Sequence, residues 1–277
     1  GGWVKGDRGD HRFVGRALAS RGIIAVVPDY RLVSHVTYPD FVADGATAVQ
    51  WAIANAARLG GDPHRVAVAG HSAGSYIAAM LALNPAFGVA DKVNALIGIS
   101  GGRYTLTPRV RAKLAAAFAK SPGGTPVEPI DFVRAGAPPT LLLTGTADDV
   151  AAPRITYDFA AALRVTGAPV TVKTYPGVEH KDMLAAFAAP YRWNIPVLDD
   201  VVGAQQALAD DLPALAHAHL HAGLRDPALL AARQPVLEEA RVFRRLAPAH
   251  HLGLGEIRRD HRVQLAPVAA QDARAVA

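Results

Sequence analysis

The 277 residues include no cysteine. That excludes disulfides and thiolate metal sites, and it fits a cytoplasmic protein while leaving export open. Aromatic residues make up only 6% of the chain. No run approaches the roughly 20 consecutive apolar residues that cross a bilayer as a helix, so no membrane span is expected. Charge of one sign is not concentrated either. The net charge is +5, but the basic residues are scattered and few aromatics lie among them. Neither a stacking platform nor a recognition helix is visible, which argues against a nucleic-acid partner. The chain opens on Gly1-Gly2-Trp3 without methionine, so the amino terminus reads as incomplete.

Apolar residues, in contrast, reach 51%, ample for one large α/β domain. From Gly22 to Leu198, short β-branched runs alternate with alanine-rich amphipathic stretches, the pattern of a parallel sheet with helices on both faces. Strands are expected over residues 23–27, 65–69, 93–100, 140–144 and 170–175. Helices are expected over 10–20, 40–59, 73–83, 108–120, 153–166 and from 181 onward. The strand runs are almost wholly apolar, as they should be where both faces are covered. Residues 101–137, rich in Gly and Pro around position 122, read as a small cap over the sheet or as a long connection. Beyond residue 204 the composition changes: Ser, Thr and Lys vanish and six of the eleven histidines appear. Residues 205–277 read as a helical or disordered extension, or as sequence from a shifted frame of a GC-rich gene. His217, His219, His221, His250 and His251 fall there, without the carboxylate or cysteine that would complete a metal-ligand pattern.

The most informative residues are Gly70-His71-Ser72-Ala73-Gly74. They sit between a strand-like and a helix-like run, where a tight turn pushes a serine hydroxyl out above the sheet. Glycine at both ends is expected because the turn is strained and the helix packs close to the strand. A serine hydroxyl is a poor nucleophile until a base takes its proton and an acid orients that base. Such partners should follow later strands, in the order carboxylate and then histidine. Asp148 and Asp149 follow the fourth expected strand, and His180 follows the fifth. Asp148 is preferred because it lies nearer the strand end. Separately, either aspartate reads as a turn former and His180 as a surface histidine; their order along the chain argues for Ser72, Asp148 and His180 as a triad. His71 is expected to pack under the turn with no part in the chemistry. Asp29, Tyr30, Arg31 and Asp44 read as structural.

Several ordered motifs resemble the α/β-hydrolase superfamily, in its carboxylesterase and feruloyl-esterase-like (BD-FAE-like) branch. They are Gly1-Gly2-Trp3 with Gly6-Asp7, Val27-Pro28-Asp29-Tyr30-Arg31-Leu32, the Ser72 pentapeptide, Gly145-Thr146-Ala147-Asp148 and Gly177-Val178-Glu179-His180. The resemblance covers roughly residues 1–202. It implies a three-layer α/β/α sandwich with a mostly parallel sheet. It also implies an oxyanion hole built from Gly1, Gly2 and the amide of Ala73. A small carboxylic ester would be the substrate, cleaved through an acyl-serine with no metal or organic cofactor. Two alternatives stay open: an arylformamidase-like amide hydrolase, and a non-catalytic truncated remnant of such an enzyme. The family's first three strands would lie ahead of Gly1, so the chain reads as a hydrolase fold lacking them. Residues 23–27 would then lose both sheet neighbours and residues 65–69 one, leaving a fragment of marginal stability.

Overall fold

In the computed structural model, residues 1–210 are described, apart from Ser34, Thr107 and residues 122–124. Four apolar runs pair side by side: β1 (Ala67–His71), β2 (Ala95–Ile99), β3 (Thr140–Gly145) and β4 (Val170–Tyr175). All three ladders are parallel and the order is β1-β2-β3-β4. His71 pairs with Ile99, Ile99 with Leu143, and Gly145 with Tyr175. The carboxyl ends of all four strands therefore share one edge, where open α/β sheets hold their ligands.

Side chains alternate across a strand, and this sorts the core into two layers. Val68, Leu96 and Leu142 face helices α2 (Asp40–Asn55), α3 (Ala73–Leu83) and α5 (Pro153–Val165). Ile97, Ile99, Leu141 and Leu143 face α1 (Arg12–Ala19), α6 (His180–Ala185) and α7 (Val197–Asp210). α4 (Pro108–Lys113) belongs to the connection between β2 and β3. The result is the expected three-layer sandwich. α3 is apolar all round and is buried along almost its whole length, the behaviour of a helix enclosed between a sheet and another layer. β2 and β3 are buried throughout. β1 and β4 are not, because each pairs on one side only among the described residues.

Three expectations are corrected. Residues 23–27 belong to no sheet and pair with no strand among the described residues. Without a ladder they form no strand, and Ile24 and Val26 stay 46% and 39% exposed. The strand expected over 65–69 begins two residues later. Val66 is tied instead to Asn94, whose side chain accepts from the Val66 amide while its own amide donates to the Val66 carbonyl. The helix expected over 108–120 stops at Lys113 and continues as a 3-10 turn, Ala115–Phe118. There the Ala117 carbonyl is taken by the Tyr38 amide at 2.7 Å. α7 runs through residue 204 to Asp210, and the five histidines at 217, 219, 221, 250 and 251 lie outside the described residues.

Candidate active site

Ser72 stands between β1 and α3 with φ 55° and ψ −118°. This is a left-handed backbone that a residue with a Cβ adopts at a cost, of a kind found where surrounding structure enforces it. Its amide donates to the Ile99 carbonyl at 3.0 Å, fixing the turn to β2. Gly70 is required as expected, since a Cβ there would lie 2.1 Å from the Gly74 carbonyl oxygen. Gly74 is not. A Cβ on it would meet nothing within 4 Å, so close packing demands glycine at the strand side of the turn alone.

Asp148 and His180 meet as the sequence order predicts. The Asp148 side chain is fully buried, and His180 Nδ1 lies 3.0 Å from Oδ1 and 2.9 Å from Oδ2. Oδ1 also accepts from the amides of Val150 and Ala151, at 3.1 and 2.7 Å. A carboxylate held by two amides stays put and can orient a ring, leaving Nε2 as the ring's free basic atom. Asp149 is exposed, so of the two neighbouring aspartates Asp148 is the one that engages the histidine.

The two loops that carry this pair are fastened together. The Thr146 amide donates to the Tyr175 carbonyl at 3.0 Å and the Ala147 amide to the Val178 carbonyl at 3.1 Å. The Gly177 amide donates to the Thr146 hydroxyl at 2.8 Å. His180 then opens α6, whose start is closed by reciprocal bonds between Glu179 and Asp182.

Ser72 comes to this pair through its neighbour. The His71 ring packs on the His180 ring with centroids 4.7 Å apart. Among the described residues the Ser72 side chain makes no hydrogen bond to the His180 ring. Such contacts are often long in a resting site and tighten with substrate.

Residues 1–101 match the family model described as BD-FAE. Isoprenylcysteine alpha-carbonyl methylesterase ICME of Arabidopsis thaliana is 27% identical over 265 residues, covering 86% of this chain and 59% of that protein. Esterase LipC of Mycobacterium tuberculosis is 31% identical over 204 residues, covering 65% of this chain and 50% of LipC. The chain thus spans between half and three-fifths of these relatives' length. The solved structure of Est2, a thermophilic esterase of Thermogutta terrifontis with propionate bound, matches with a TM-score of 0.63 at 26% identity. That match covers 73% of this chain and 78% of Est2.

Its fold is that of the α/β-hydrolases, and its sequence is similar to esterases of that fold.

In this fold the glycines of the opening segment are held near α3 by the residue that follows them. Trp3, 1% exposed, packs on Phe41, Phe118 and Tyr76, the last with centroids 5.2 Å apart. Tyr76 lies one helical turn beyond Ser72. Gly2 has φ +64°, and a Cβ on Gly1 would meet no protein atom within 4 Å. The Gly1 nitrogen itself donates to the Lys5 carbonyl. Ala73, first residue of α3, has an amide with no acceptor inside the helix, as any first-turn amide does.

Asp29 accepts from the Arg8 amide and pairs with the Arg8 guanidinium at 3.1 Å; Arg31 is held by Asp44. These residues brace the opening loop, the structural part read for them. His71 packs under the turn as expected, and it does so against His180. Its Nε2 lies 2.9 Å from the His180 backbone carbonyl. Burial is the largest influence on the ring and pushes its pKa down to about 4.

Proposed function

We propose that this chain is a serine hydrolase that cleaves a small carboxylic ester through an acyl-serine intermediate. The observation that carries the reading is the His180 ring held by both oxygens of buried Asp148, on the same sheet edge as a serine in a left-handed turn. Ser72 Oγ attacks the ester carbonyl while His180 Nε2 takes its proton. Asp148 keeps the ring in the tautomer with Nδ1–H and stabilises the imidazolium as it forms. The tetrahedral oxyanion is met by the Ala73 amide and by the Gly1–Gly2 loop, each donor worth about 2.7–4 kcal/mol where it is preorganised. His180 returns the proton to the leaving alcohol. Water, activated by the same ring, then releases the acid and restores Ser72. Side chains, backbone amides and water carry every step.

Residues 101–137 supply a wall of the substrate pocket in this reading. They leave the carboxyl end of β2 and lie against the Trp3 cluster through Phe118. Buried Glu128 joins the two ends of the segment, accepting from the Leu106 amide at 2.8 Å and pairing with Arg111. The relatives' names, methylesterase and esterase, support an ester as the substrate class. Hydrolysis of p-nitrophenyl acetate and butyrate by wild type, abolished in Ser72→Ala, is the expected result. Equal turnover by the two proteins would overturn the reading.

A further inference from the structure

We infer that His71 is a positioning residue, whose Nε2–H tethers the backbone carbonyl of His180 and so sets where the catalytic ring stands relative to Ser72. The inference rests on the triad proposed above. Asp148 fixes the rotation of the His180 ring, because it grips Nδ1. It does not fix the ring's origin on the backbone. His71 does: Nε2 is 2.9 Å from the His180 carbonyl oxygen, and the rings pack at 4.7 Å and 47°.

Residues 71 and 72 are consecutive, so one short piece of chain carries the nucleophile and the tether to its base. The distance the proton must cross is then set from both ends by the same turn, itself pinned to β2 through the Ser72 amide.

The charge state matters as well. A carbonyl accepts, so Nε2 must carry the proton, and a neutral His71 is the Nε2–H tautomer. The groups facing this ring are His180, Asp148 and His11. Burial keeps His71 neutral at physiological pH. A second cation beside His180 would oppose the imidazolium that forms during proton transfer; a neutral donor does not.

The test compares His71→Gln, His71→Asn and His71→Leu in the purified chain. The terminal amide nitrogen of glutamine reaches about as far as Nε2, whereas asparagine stops one methylene short and leucine has no donor. Expected in Asn and Leu is a fall in kcat of about 10- to 100-fold, the size of a sub-ångström to 1 Å misplacement, with KM for p-nitrophenyl butyrate changed less than about 3-fold. Gln restores kcat to within a few-fold of wild type. The downfield proton signal of His180 Nδ1–H is retained in Gln and shifted or broadened in Asn.

Equal activity of Gln, Asn and wild type would overturn the inference, as would a Gln variant no better than Asn. If Leu fails to unfold cooperatively, the Gln and Asn pair still decides. If wild type cleaves no ester, the hydrolase reading fails by itself. The Nδ1 proton signal still reads the tether, and an unchanged signal in Asn overturns it.

Discussion

The Val178 carbonyl oxygen lies 2.1 Å from where a Cβ on residue 145 would be. Any side chain at Gly145 therefore pushes the His180 loop away from the end of β3, and with it away from Asp148. The Ala147–Val178 hydrogen bond crosses at the same place. Glycine here is a condition for the pair to meet.

Gly145→Ala is expected to cost about 1–3 kcal/mol of stability, as forced overpacking does, and to reduce ester turnover by more than the fraction unfolded accounts for. Urea denaturation beside kcat on the folded protein separates the two effects.

Asp148→Asn keeps an oxygen for the Val150 and Ala151 amides but favours the wrong histidine tautomer. Stability should change little, while kcat falls by roughly 10³- to 10⁴-fold, the scale of this exchange in serine hydrolases of known mechanism. Asp149→Asn, on an exposed side chain, should leave kcat within about 2-fold. Steady-state kinetics of the two variants, side by side, checks which aspartate acts.

Acid should destabilise the fold through His71. Its folded pKa of about 4 lies below the ordinary value of 6.5. Between those values the unfolded chain binds a proton that the folded chain refuses. Stability contributed by the neutral buried ring is complete above about pH 6.5, declines as pH falls, and levels off near pH 4. The linked change is about 3 kcal/mol. His71→Gln has nothing to titrate there. Unfolding free energies at pH 7 and pH 4.5 should therefore differ less in the variant than in wild type.

Trp3 joins the opening glycines to the body of the fold through Phe41, Tyr76 and Phe118. Trp3→Ala should cost about 3–5 kcal/mol, as large aromatic truncations in a core do. The midpoint of chemical denaturation measures this directly.

Much of this arrangement could be read in the sequence, for reasons that are local. α3 begins at Ala73 and ends at Leu83 as expected, because the Ser72 turn starts it and Asn84 caps the turn that follows, accepting from the Ala86 amide. Ser72, Asp148 and His180 each follow a strand, and a parallel sheet places such residues on one edge without further information. Residues 23–27 show where local pattern fails: an apolar β-branched run states a preference, but a strand exists only where a partner accepts and donates. The contact between His71 and His180 shows another limit: it is made by packing between residues more than 100 positions apart in the chain. At Gly74 the motif was read correctly and its reason wrongly, since the space beside it is open.

The central claim is that Ser72 is a nucleophile made reactive by His180. Treating the folded chain with a fluorophosphonate and locating the adduct by peptide mass spectrometry tests it most directly. The account predicts about one adduct per chain on the peptide carrying Ser72, lost in Ser72→Ala and formed at least about 100-fold more slowly in His180→Ala. A folded wild-type chain that takes up no label, or one labelled equally well without the Ser72 hydroxyl, would contradict it.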